Sequence, residues 1–136
     1  MTLIEEYKVK YSRIFAQNLK RYLAEFGMSQ NELARRLGVT SATVSTWCRA
    51  TKYPTIDRID DLCEIFHCER VDLTETAEAS ARYHQNARLL AYAKKLAGRE
   101  DIQLCLDQLF KVPEEDMQKV FAMIALFAKE DPNEEA

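Results

Sequence analysis

Apolar positions recur three and four residues apart along most of the chain, and short polar or glycine-containing breaks separate the runs. That spacing gathers apolar side chains on one face of a helix, whereas a strand would alternate every second residue. The first run carries Tyr11, Phe15, Leu19, Tyr22, Leu23 and Phe26. Thr2 and Glu5 before it form a capping-box pattern, in which each side chain accepts from a backbone N–H of the other. Gly27 suits a left-handed helix end. The pattern leaves open whether residues 2–10 form a separate turn or continue that helix. A second helix opens at Ser29 with Glu32 as box partner, buries Leu33, Ala34 and Leu37, and stops at Gly38. Thr40 caps a third helix running through Val44 and Trp47 to about Arg49, and residues 50–54 form a loop. Thr55 caps a fourth, with Ile56, Ile59, Leu62, Cys63 and Phe66 on its stripe, and Val71, Asp72 and Leu73 begin a short fifth helix or turn.

Near Thr74 the pattern weakens into small and polar residues, which reads as a linker, in part helical. Helical spacing returns over residues 86–97 and 100–110, and again from Met117 through Val120, Phe121, Ile124 and Phe127. Pro113 suits the first position of that last helix, where its missing N–H costs nothing. The expected architecture is all-α. A five-helix domain over 1–73 is followed by a linker over 74–84, a helical oligomerisation segment over 85–130 and a disordered tail over 131–136.

Composition supports helix: among 136 residues there are only three Gly and three Pro. No apolar run reaches the roughly 18 residues of a membrane span, and the N-terminus lacks the apolar stretch of a signal peptide. A cytoplasmic protein with reduced cysteines is expected. Cys63, His67 and Cys68 invite a metal reading, but their spacing matches no zinc template and a fourth ligand is missing nearby. No metal or other cofactor is expected. An enzyme is not expected either, because His67 and His84 are the only histidines and no glycine-rich phosphate loop exists.

Net charge is −3, which alone does not suggest nucleic acid. Its distribution is uneven: residues 1–73 sum to +1 and residues 74–136 to −4. Between Ser29 and Tyr53, Arg35, Arg36, Arg49 and Lys52 face Glu32 alone, so that window is +3. Two eight-residue helices joined at Gly38 are what a helix-turn-helix requires, the second entering the major groove of DNA. The outward positions of the third helix are Ser41, Ala42, Thr43, Ser45 and Thr46. Serine and threonine hydroxyls bond several base edges, and alanine or a threonine methyl suits a thymine methyl.

The stretch MSQNELARRLGVTSATVSTW resembles the helix-turn-helix of the XRE family, which includes the lambda- and 434-type phage repressors. The likeness covers about residues 12–73 and includes Ser29-Gln30, Glu32-Leu33-Ala34, Gly38-Val39-Thr40, Val44-Ser45, Trp47 and Pro54 in register. It implies a five-helix bundle that binds a double-stranded operator. It implies a phosphate-holding role for Gln30, base contacts for Ser41, Ala42 and Thr46, and flanking or backbone contacts for Thr40, Thr43 and Arg49. Lys52 falls in a loop that tracks phosphates, and Trp47 is expected in the core. The chain departs from the family at Leu23 and Cys48, where a buried Arg–Glu pair is common; replacing both partners together by apolar groups is tolerated, so the two should meet. Ala50 and His67 stand where the family often has glycine, which implies positive φ at both.

A domain this small binds DNA weakly alone, so a homodimer through the C-terminal helices is expected, with two reading helices one DNA turn apart. Residues 83–130 also resemble the C-terminal segments of small repressors from phages and integrative elements of Gram-positive bacteria. The length leaves no room for a self-cleaving peptidase domain, so inactivation is expected to need an antirepressor or a regulatory protease. The alternative within DNA binding is an antitoxin whose C-terminal helices hold a toxin while the chain regulates its own operon.

Overall fold

The structure is a computed structural model that describes residues 1–130; the tail expected over 131–136 lies outside the described residues. Among the described residues there are eight α-helices, one 3-10 turn and no strand. The helices are α1 (Leu3–Glu25), α2 (Gln30–Leu37), α3 (Ser41–Cys48), α4 (Ile56–Phe66), α5 (Arg70–Thr74), α6 (Ala77–Leu96), α7 (Glu100–Leu109) and α8 (Met117–Phe127). The fold is all-α, as the helical spacing implies. It divides into two compact units, one ending at Arg88 and one starting at Leu89.

The first unit holds the five-helix bundle. Phe15, Leu19 and Leu23 from α1 meet Leu33, Ala34 and Leu37 from α2 and Val44, Trp47 and Cys48 from α3. Ile59, Leu62 and Phe66 from α4 and Leu73 from α5 close the same cluster. Each fully buried Leu or Phe there contributes about 1.5–3 kcal/mol of transfer free energy. Leu23 and Cys48 are both buried in this cluster, where the departure from the family placed them.

Local chemistry sets the helix ends. Thr2 Oγ1 accepts from the Glu5 N–H and Glu5 Oε2 accepts from the Thr2 N–H, at 3.3 and 2.8 Å. With both cap bonds made, α1 starts at Leu3 and continues unbroken to Glu25, which settles the question left by the pattern. Gly27 has φ +60°, and the Met28 N–H reaches back to the Leu23 carbonyl at 2.9 Å. Ala50 (φ 59°) and His67 (φ 52°) are left-handed without being glycine, as their register implied.

Residues 74–84 are more regular than composition suggested. Only Glu75 and Thr76 separate α5 from α6, and the Thr76 hydroxyl accepts from the Ala79 N–H at 3.2 Å. The alanines there favour helix, and the residue that turns inward is polar, the buried Ser80, so no apolar period marks the segment. Its attachment is polar as well. The amide of the buried Asn18 donates to the carbonyls of Leu73 and Glu75 at 2.9 and 2.8 Å. Asp72 Oδ1 accepts from Ser80 and bonds His84 Nε2 at 2.7 Å.

The second unit contains the end of α6, then α7 and α8. Gly98 turns the chain with φ +81°, and Gln103 Nε2 donates to the Leu96 carbonyl at the end of α6 at 2.7 Å. Pro113 stands just before a 3-10 turn over Glu114–Asp116, one step earlier than a first helical position, and α8 follows. No residue of α7 or α8 is buried.

Candidate nucleic-acid interface

The turn between α2 and α3 is closed by backbone chemistry. Gly38 has φ 70°, which brings the Val39 N–H to the Ala34 carbonyl at 3.0 Å. Ala34 is 2% exposed, so a larger side chain there would push the helices apart. Thr40 then caps α3, its hydroxyl accepting from the Thr43 N–H at 3.2 Å. Val44, Trp47 and Cys48 face the core, Trp47 at 4% exposure. Because 3.6 residues make a turn, the other positions of α3 turn outward. Ser41 and Ala42 are exposed, and Thr43, Ser45 and Thr46 are half-buried.

A concave notch of 460 Å³ lies along this face. Ala42, Thr43 and Thr46 form its α3 wall, Lys52, Tyr53 and Pro54 the loop wall, and Thr55 and Arg58 the α4 wall. Four of the nine residues singled out from the sequence, Ala42, Thr43, Thr46 and Lys52, therefore meet in one depression. The other five lie outside its lining. Gln30 and Ser41 are exposed at the first positions of α2 and α3, and Thr40 is the exposed cap. Ser45 is half-buried, and the exposed Arg49 ends α3 with its Nε donating to the Ser45 carbonyl at 3.3 Å.

Two notch residues escaped the sequence reading. Arg58 Nη1 donates to the Leu37 carbonyl at 3.1 Å and to Asp61 at 3.4 Å, so a cation caps the negative end of α2 beside the notch. The signal was available: an arginine on the polar side of α4, three residues past its cap. Tyr53 sets its ring edge-on to Phe15 with centroids 5.5 Å apart, which seats the loop on the core. Thr51 anchors the loop's start by donating its hydroxyl to the Thr46 carbonyl at 3.1 Å. Lys52 is held between these two anchors.

The hydroxyls on α3 are partly engaged. Thr46 Oγ1 donates to the Thr43 carbonyl at 2.6 Å, and the Thr40 and Thr43 hydroxyls lie 2.9 Å apart. They keep acceptor capacity and methyl groups for a ligand. Charge is redistributed in the same way. Glu32 accepts from Arg35 at 2.6 Å and from Arg36 at 3.1 Å, and these bonds, Arg35's first, hold its carboxyl below the ordinary value. It does not return a bond to Ser29, so the expected capping box is half-formed. The +3 of this window therefore overstates its free cations, which are Arg49 and Lys52; Arg58, outside the window, lies beside the notch but is engaged by the Leu37 carbonyl and Asp61.

Among the described residues no group of three or more His, Cys, Asp or Glu is placed to hold a metal ion. Burial pushes the Cys68 thiol up to about 12, with the neighbouring Cys63 adding to it.

A core-braced short helix, small polar side chains outward and cations on its flank, defines a helix-turn-helix DNA-binding domain. Residues 18–78 match the family model of the Cro/C1-type HTH DNA-binding domain, so the chain carries a domain of that type. It is a DNA-binding regulator. The solution structure of the SOS-response transcriptional repressor LexA from Eubacterium rectale is 32% identical, covering 50% of this chain and 72% of that one, with a TM-score of 0.49. No curated protein matches the chain significantly. Among the described residues no helix is long and apolar enough to cross a membrane.

Proposed function

We propose that the chain is a homodimeric, sequence-specific transcriptional repressor of a phage or mobile element that binds an inverted-repeat operator. The observation that carries this reading is the notch, which sets Ala42, Thr43 and Thr46 beside Lys52 and Arg58. Short side chains on a groove-entering helix let it approach base edges closely, and flanking cations neutralise phosphates. Ser41, Ala42, Thr43, Ser45 and Thr46 read bases or the sugar edge, while Gln30, Thr40, Arg49 and Lys52 position the backbone.

The second unit supports pairing of two copies. Leu104, Phe110, Phe121, Leu126 and Phe127 are 68–85% exposed in a unit whose α7 and α8 have no fully buried residue, Leu106, Leu109 and Val120 being half-buried. Lone soluble domains seldom leave apolar patches beyond about 300–600 Å² uncovered, and an interface of about 800 Å² per partner would cover this one. Release from the operator by an antirepressor or a regulatory protease belongs to the same reading. The antitoxin reading would give the same apolar helices to a toxin.

Thr46→Ala tests base reading. On a site selected by the wild-type chain from random duplexes, the variant should lose about 1–3 kcal/mol of discrimination at one base pair. Equal loss at every sequence would contradict a base contact.

A further inference from the structure

The notch on α3 is not the only depression at the loop after it. A second groove of 820 Å³ shares Lys52 and Tyr53 with the notch, and its far wall is the N-terminal part of α1, with Ile4, Tyr7, Lys8 and Tyr11. That part of α1 does little for the core. Phe15 is the first fully buried apolar residue, and Leu3, Ile4 and Tyr7 are 69%, 69% and 52% exposed. The family match begins only at residue 18. The segment is nevertheless strongly specified as helix. Both bonds of the Thr2–Glu5 box are present, and Tyr7 and Tyr11 stack with centroids 5.9 Å apart and planes at 7°. At about 1.5 Å per residue, residues 3–14 make a stiff arm roughly 18 Å long.

The charge on the groove is one-signed. Lys8 and Lys52 line it, and no aspartate or glutamate does. Glu5 is engaged in the cap, and Glu6 lines different depressions of α1. Tyrosines between two lysines offer rings to deoxyribose faces and hydroxyls to phosphate oxygens, the groups that fix a protein's register on a duplex.

We infer that the N-terminal arm of α1 is a second DNA-contacting element, with Lys8 and Lys52 holding the sugar–phosphate backbone that runs out of the notch past residues 51–53. The inference rests on α3 reading DNA, and it adds a contact that carries no sequence preference of its own.

The test uses the full chain and a duplex it selects from random sequence. Affinity is measured across salt for wild type, Lys8→Ala and Lys8→Arg, on the selected duplex and on single-base-pair variants. Lys8→Ala should weaken binding equally on all of them and reduce the slope of log K against log salt by about 0.9, the value for one lost phosphate contact. Lys8→Arg should restore the slope, and the thermal midpoint of both variants should match wild type. If the wild-type chain selects a site but Lys8→Ala keeps the wild-type slope, the arm's role is overturned while base reading stands. If the wild-type chain retains no duplex, both readings are overturned. A slope left unchanged while Lys8→Ala or Tyr7→Ala alters the association state would assign the groove to a second copy, and overturn the DNA role.

Discussion

Two residues hold left-handed backbone without being glycine, Ala50 at the end of α3 and His67 at the end of α4. A side chain in that region costs about 1–2 kcal/mol, and glycine gives back about 0.5–1 kcal/mol through its freer unfolded chain. Ala50→Gly and His67→Gly should therefore each stabilise the first unit by about 0.5–1 kcal/mol, read as a rise in denaturation midpoint. A fall at either position would show that the loop does not require the turn. Cys48 argues in the opposite direction. It is 6% exposed in one cluster with the 8% exposed Leu23, and burial pushes its thiol up despite the nearby Lys20. Cys48→Glu places a charge where its family partner is absent, and a one-sided buried charge costs about 3–5 kcal/mol. Unchanged thermal stability of that variant would contradict the apolar pairing. Both positions were legible in the sequence, because a departure from a family pattern is informative when its physical reason is known. Arg58 was visible as an arginine on the polar side of α4 but not as a site residue, since its place beside the notch depends on how α4 crosses the end of α2.

At the scale of elements, helices α1 to α5 followed from apolar spacing and caps, whereas the start of α6 did not. Periodicity reports apolar burial, and α6 is tied on by Asn18, Asp72, Ser80 and His84 instead. That attachment titrates. The Asp72 hydrogen bond raises the His84 imidazole above its ordinary value, with the Glu69 carboxylate adding to it. Burial pushes Asp72 up, but bonds from Ser80, the Glu69 N–H and His84 outweigh it and hold the carboxyl below its ordinary value. The histidine's contribution is full below the unfolded imidazole pKa of about 6.5 and disappears as pH rises through the raised folded value. The aspartate's contribution is full above the unfolded carboxyl pKa of about 3.9 and disappears as pH falls through the depressed folded value. The stability difference between wild type and His84→Gln should thus shrink as pH rises from 6 to 9. A difference that stays constant over that range would mean the ion pair adds nothing beyond a neutral hydrogen bond.

For the whole molecule, the two units differ in what they bury. The first has a buried core and a polar reading face; the second has amphipathic helices with their apolar sides uncovered. The second unit's helices follow from apolar spacing, whereas association between chains leaves no mark on one chain's spacing. In the proposed repressor, small side chains on α3 make few contacts per copy, and a two-fold axis doubles them. The most direct measurement is a hydroxyl-radical footprint of the full chain on its selected duplex. A homodimeric repressor should give two protected half-sites related by inverted symmetry, with centres about 10 base pairs or a small multiple of that apart, and both should be lost together when Leu104→Asp or Phe121→Asp keeps the chain monomeric. Protection of one half-site alone by wild type, or a footprint unchanged in those variants, would contradict it.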